Sequence, residues 1–266
     1  MSKTSAVAVK ASNTAVALAT EFEEFAGVGM EEVGSEDLAV PFLRILAQLS
    51  PQVNKRDGAY VQGAEAGMVF NTVLNEAYSG EEGILVVPCF YNRRYVEWKP
   101  RAAGGGLVAS YEANDPIKDT TQKNDRGEDV LPNGNLLSNT AQFFVLLLHP
   151  TQGPQRCLIT MTSTQLKKAK AWNMNLNSYT AMGKNGLYTL PMASHVYRLR
   201  TVPERNDKGD WFGWLISRER ALDMQTEGHI FRMGIEFAKS VRAGEVKVKE
   251  DVDHHDAAPS VKNDVM

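Results

Sequence analysis

The chain has 266 residues, 43% of them hydrophobic, enough for one sizeable core or two small ones. Its formal net charge of -3 and its 23% of charged residues are ordinary for a soluble protein. Two cysteines, Cys89 and Cys157, each inside an apolar run, exclude a disulfide framework and a cysteine-built zinc site, and no apolar run approaches the ~18 residues that cross a membrane. The cysteines read as buried thiols in a reducing compartment, with a single bridge between them left open, and the chain reads as soluble and cytoplasmic with no membrane association.

Residues 1–36, rich in Ala, Ser, Thr, Val and Glu, read as a flexible acidic arm in which AVALATEFEEF is one short amphipathic stretch. A single globular β-rich domain is expected over residues 37–244. EDLAVPFLRILAQLS starts it as a short helical or extended segment, because Pro41 limits any helix before it. KRDGAY and NEAYSGEEG are turn signals around a short strand in GMVFNTV. ILVVPCFY (84–91), YVEWK (95–99) and LVASY (107–111) are rich in β-branched and aromatic residues and read as strands. Residues 112–135 are polar and turn-rich, as in a long exposed loop. QFFVLLLH (142–149) and RCLITM (156–161) then form a buried hairpin across TQGPQ.

In STQLKKAKAWNMNL, Ser163 or Thr162 can cap a helix whose apolar stripe is Leu166, Ala169, Trp172 or Asn173, and Leu176. HVYRLRTV (195–202) and DWFGWLISRE (210–219) make a second hairpin, and GHIFRMGIEFAKSV (228–241) a last helix with Ile230, Met233, Ile235 and Phe237 apolar. Residues 245–266 read as a disordered acidic tail. The simplest architecture is mainly β with α: an antiparallel barrel-like core of the oligonucleotide-binding type with one or two helices.

Charge is unevenly placed. Residues 1–40 carry a net -5, residues 245–266 a net -3, and residues 41–244 a net +5. A basic body between acidic ends suits an anionic partner, with the tail competing for the same surface. FYNRRYVEWKPR (90–101) concentrates the signal. If this strand runs straight, Tyr91, Arg93, Tyr95, Glu97 and Lys99 share one face, while Phe90, Asn92, Arg94, Val96 and Trp98 take the other. Tyrosine rings can stack on the bases of a single strand while Arg and Lys meet its phosphates, each stacked base contributing roughly 1–3 kcal/mol. Tyr91, Arg93, Tyr95 and Lys99 are the favoured contacts, with Arg94, Trp98 and Arg101 next. Lys167, Lys168 and Lys170 on the helix, and Arg198 and Arg200 on one strand face, extend the phosphate track. The plainer alternative is an amphipathic strand whose long side chains cover its apolar edge.

A sharper rival is a metal-dependent nuclease, in which Glu97 binds Mg²⁺ and Lys99 activates water from the same strand face. It needs an upstream acidic ligand, and Asp57, Glu65, Glu76, Glu81 and Glu82 stand in no strand-end context. Gly104-Gly105-Gly106 lacks the Lys-Ser/Thr of a phosphate loop, and His254-His255 falls in the tail. His149, His195 and His229 lie in unrelated elements, and no Ser or Cys has a nucleophile's setting. The chain therefore reads as a non-enzyme with neither cofactor nor metal.

DLAVPFLRILAQLSP, GILVVPCFYNRRYVEWKPR with its following GGG, and MTSTQLKKAKAWN together resemble a group of bacteriophage single-stranded DNA-binding proteins of the replication module, over residues 37–220. The resemblance implies an oligonucleotide-binding barrel that coats single strands during replication or recombination without catalysis. Such proteins recruit phage or host replication enzymes through an acidic tail with a terminal aromatic, whereas this tail ends in Val265-Met266. Deleting residues 245–266 should tighten DNA binding at low salt if the tail competes for the groove. A phage structural or host-interaction protein without nucleic-acid affinity is the second expectation, and self-association into a homo-oligomer stays open.

Overall fold

The computed structural model describes residues 23–33, 39–207, 209–246 and 248, in a chain that divides into two units, residues 1–38 and 39–266. In the first unit, residues 23–33 run through successive turns that leave Phe25, Val28 and Met30 exposed. The rest of the expected acidic arm lies outside the described residues, as does the expected tail from residue 249 on.

The second unit begins with a small antiparallel sheet of β1 (Leu43–Ile45), β2 (Val69–Asn71) and β3 (Glu76–Tyr78), so NEAYSGEEG holds a strand as well as turns. The main sheet follows with β4 (Ile84–Trp98), β5 (Leu107–Glu112), the two-residue β6 (Gln122–Lys123) and β7 (Asp129–Val130), β8 (Leu136–His149) and β9 (Gly153–Met161). Helix α1 (Leu166–Ser178) and a separate hairpin of β10 (Thr180–Gly183) and β11 (Gly186–Thr189) precede β12 (His195–Asn206), β13 (Gly209–Ala221) and helix α2 (Gly228–Arg242). The molecule is mainly β with two helices. Its eight-stranded sheet runs β13-β12-β4-β8-β7-β6, with β5 beside β4 and β9 beside β8, and every pairing is antiparallel. Among the described residues the end strands β13 and β6 do not pair with each other, so the sheet curls without closing.

β4 and β8 are the spine. Their register runs from Val86 opposite Leu147 to Trp98 opposite Leu136, so the strand runs unbroken through Asn92-Arg93. A bulge between Pro88 and Phe90 sets the phase of everything after it. Val87, Cys89 and Phe90 all pack toward α2, whereas Val86 and Tyr91 pack toward α1. Without the extra residue, strict alternation would send Tyr91, Arg93 and Tyr95 to the α2 side. Pro88, with no N–H to donate, fits the interrupted ladder there.

Each face of the spine is covered by one helix. On the α1 face Val86, Phe143, Val145, Ile159, Tyr197 and Leu199 pack against Ala169, Trp172 and Leu176, with Trp172 stacked on Phe143 at 4.3 Å between ring centroids. On the α2 face Val87, Phe144, Leu146 and Val196 meet Ile230 and Phe237, whose ring stands edge-on to Phe144 at 5.9 Å. Gly234 lets α2 seat this closely, since a Cβ there would lie 3.0 Å from the Ala193 Cβ and 3.2 Å from the Cys89 Sγ. The cysteines fall on opposite faces, Cys157 toward α1 and Cys89 toward α2, and both are free thiols.

The start of α1 differs from expectation. Ser163–Gln165 form a single 3-10 turn that continues into the helix, and neither Thr162 nor Gln165 caps through its side chain. Ser163 instead adopts φ 47°, and the Gln165 side chain accepts from the Trp214 N–H at 3.0 Å, tying α1 to β13. Residues 112–135, expected as a plain loop, hold the β6–β7 hairpin and the buried Leu131.

Candidate nucleic-acid interface

The phase set by the β4 bulge puts Tyr91, Arg93, Tyr95 and Glu97 on the α1 face. Helix α1 runs alongside, and Leu166, Ala169, Lys170, Asn173, Met174 and Asn177 recur at three- and four-residue spacing as one stripe toward the strand. Between them lies a cleft of about 660 Å³, lined by that stripe together with Tyr91, Arg93 and Lys167. Leu166, Ala169 and Met174 give this lining its aliphatic part, and the carboxamides and cations its polar part. An aromatic and a cation from β4 thus meet two lysines that lie more than 70 residues further along the chain.

The chemistry of this cleft rests on how its charges are partnered. The Tyr91 ring is rooted on Phe143, with centroids 4.9 Å apart. Arg93 donates from Nε to the Asn139 Oδ1 at 2.7 Å, a neutral partner that orients the guanidinium, and among the described residues no carboxylate pairs with it. Lys167 and Lys170 are exposed, and among the described residues neither has a carboxylate within 4.0 Å. Three of the other expected cations are ion-paired. Lys168 pairs with Glu204, whose carboxylate also accepts from the Trp211 Nε1 at 2.7 Å and from Gln165. Burial raises the Glu204 pKa, and the bonds from Lys168 and Trp211 outweigh it and hold the group below its ordinary range. Arg94 points to the other face and pairs with Glu112. Arg198 is held by two bonds to Glu219, at 2.9 and 2.8 Å, on the face opposite Tyr197 and Leu199.

The expected single track therefore divides. Tyr91, Arg93, Lys167 and Lys170 come together, and Tyr95 continues their face along β4. Arg198 and Arg200 lie across the sheet on the α2 side and do not extend this cleft. Trp98 is half-buried on that side as well. Lys99 and Arg101, past the end of β4, line a second cleft of about 470 Å³ with Asn124, Arg126 and Glu128.

Glu97 is a structural anchor. Its residue is 3% exposed, and its carboxylate accepts from the Tyr111 hydroxyl at 2.5 Å and from the side chains of Asn133 at 2.9 Å and Asn135 at 2.5 Å. Burial alone would raise its pKa, and these three hydrogen bonds together hold it below the ordinary carboxylate range. Both oxygens are thus taken by donors from β5 and from the turn before β8, an arrangement unlike a metal ligand's. No group of three His, Cys, Asp or Glu side chains converges among the described residues. Burial pushes each of the Cys89 and Cys157 thiols up to about 12, which suits packing and not nucleophilic attack.

Two lining residues, Asn173 and Asn177, and Asn139, the partner of Arg93, were not legible as site residues. Asn173 stood in the sequence only as an alternative to Trp172 for the buried stripe, and Trp172 takes that place, 2% exposed. Asn139 is found only through the β4–β8 register.

The description Pam3 phage gp34-like protein belongs to the family model that matches residues 9–247. The chain belongs to this phage protein family. Nothing in the family's description states an activity, and no curated protein and no solved structure matches the chain. The match spans the whole of β4, α1 and the sheet between them, so the cleft lies inside the region that defines family membership. No helix among the described residues is long and apolar enough to cross a membrane.

Proposed function

We propose that this phage protein is a non-catalytic single-stranded DNA-binding protein of a replication or recombination module, acting in the host cytoplasm. In this reading the curled sheet serves as a partly open barrel of the oligonucleotide-binding type, with the strand laid along β4 beside α1. One observation carries it: Tyr91 and Arg93 share a cleft with Lys167 and Lys170, and among the described residues these cations lack carboxylate partners while Arg94, Lys168 and Arg198 have them. A tyrosine offers a face to any base, and cations that carry no internal ion pair are the ones phosphates can neutralise. The acidic residues 245–266 would then recruit phage or host replication proteins or compete for the cleft.

The test is fluorescence anisotropy of a labelled oligo(dT) at two salt concentrations with duplex DNA as competitor. Salt-sensitive binding that duplex does not displace is expected, and no binding at low salt would overturn the reading.

A second reading, a structural or host-interaction protein, is favoured by the β10–β11 hairpin, where Met182 is 77%, Leu187 68% and Tyr188 50% exposed. It predicts self-association or partner binding that Met182→Ser with Leu187→Ser abolishes, checked by light scattering.

A further inference from the structure

The α1 face does not stop at the cleft. β5 pairs with the far half of β4, and its register sets Tyr111 directly opposite Tyr95. Directly opposed residues of an antiparallel pair project to the same face, so two tyrosines stand side by side beyond Arg93. Both are half-buried, and the Tyr111 hydroxyl is tied to Glu97, which Asn133 and Asn135 hold from the other side. This network fixes the Tyr111 side chain at its polar end and keeps the Glu97 carboxylate turned inward, 3% exposed. What the face presents here is aromatic surface, not negative charge. Four residue steps along the strand lead from Tyr91 to Tyr95, about 13 Å at ~3.3 Å per residue, with Arg93 between them.

Resting on the strand-binding reading, we infer that Tyr95 and Tyr111 form a second base-stacking platform, continuous with the cleft and separated from Tyr91 by the Arg93 phosphate contact. The occupant is the same single strand of DNA, because the guanidinium between the two aromatic positions matches an anionic backbone running over them. The Glu97 carboxylate acts as a positioning group: by accepting from the Tyr111 hydroxyl it sets the ring's orientation. A strand long enough to cover both positions gains a stacked base that a short one does not.

The experiment is a length series of labelled oligo(dT), from about four to sixteen nucleotides, titrated against the full chain and against Tyr111→Ala, Tyr95→Ala, Tyr111→Phe and Glu97→Gln. Wild-type affinity should step up with length beyond the shortest oligonucleotide. Tyr111→Ala and Tyr95→Ala should each remove about five- to a hundredfold of affinity for long oligonucleotides and leave the shortest nearly unchanged. Tyr111→Phe, which keeps the ring and loses only the Glu97 bond, should fold as wild type and lose severalfold at most. Glu97→Gln should behave like Tyr111→Phe and not like an activity knockout. Long-oligonucleotide binding that is unchanged in Tyr111→Ala and Tyr95→Ala, with Tyr91→Ala weakened, would overturn the second platform alone. Absence of binding by the wild type at every length would overturn it together with the reading on which it rests.

Discussion

The two faces of the β4–β8 spine are covered by helices of similar length but in different ways. On the α2 side Ile230 and Phe237 are buried against Phe144 and Val196, and Gly234 brings the helix against Cys89 and Ala193. On the α1 side Trp172 and Leu176 fill the core only along one edge of the helix, and the stripe facing the far half of β4 carries Lys170, Asn173 and Asn177. Closing a face takes apolar residues on every inward position of the covering helix; polar residues on part of it leave a cleft. The charges follow the same division. Two strand arginines outside the α1-side cleft, Arg94 and Arg198, are ion-paired, whereas Arg93 inside it has, among the described residues, an amide partner and no carboxylate.

The comparison is broken most strongly by removing its packed elements. Phe237→Ala should cost about 3–5 kcal/mol of stability through the cavity it leaves, with oligonucleotide affinity per folded molecule unchanged, read by chemical denaturation and by titration. Trp172→Ala should cost a similar amount and also weaken binding, because Trp172 seats on Phe143 the helix that carries the cleft's lysines.

Next in size are the cleft cations. Replacing Arg93, Lys167 and Lys170 together by alanine should reduce the slope of log affinity against log salt by about 2, at ~0.7 per phosphate contact on a single strand. Stability should be nearly unchanged. Arg198→Ala and Lys168→Ala, which break ion pairs at the surface, should change affinity less than twofold and stability by about 0–1 kcal/mol. Equal losses in the two sets would erase the distinction between paired and unpaired cations.

A smaller effect sharpens the role of Glu97. Its pKa in the folded chain lies below the ordinary value of 4.5, so it favours folding fully above that value. The contribution is lost as pH falls from 4.5 through the depressed folded pKa, because protonation weakens the charge-assisted bonds it accepts from Asn135, Tyr111 and Asn133. Thermal unfolding followed from pH 6 downward should show this loss in the wild type. Glu97→Gln should flatten the acid limb while lowering stability at neutral pH by about 1–3 kcal/mol. An unchanged acid limb would mean that Glu97 titrates alike in folded and unfolded chains.

How much of this was legible in the sequence depends on the range of the interactions involved. The hairpins, the last helix and the helix after Thr162 were readable from local periodicity, because their apolar rows are sequence-local. The single strand through Asn92-Arg93 was read on the condition that no turn intervened, and β8 supplies what the local sequence lacks. The face on which Tyr91 lies was beyond local reading, since a one-residue bulge reverses it and a bulge has no fixed signature. Tyr111 lay inside LVASY, read as a strand, yet only the β4–β5 register places it beside Tyr95. Arg198 and Arg200 went astray for the same reason: being on one strand face is local, and which helix covers that face is not. The oligonucleotide-binding barrel was expected from strand count and spacing, and the curled sheet with unjoined end strands shows that count and spacing leave closure undetermined.

Photocrosslinking would show whether the α1 face holds the strand. A bromouracil-substituted single strand is bound to the full chain, irradiated, and the crosslinked peptides are read by mass spectrometry. Crosslinks are expected at Tyr91, Tyr95 and Tyr111, with none on α2 or at Arg198 and Arg200. Crosslinks gathered on the α2 face, or none above an unbound control, would contradict that placement of the strand.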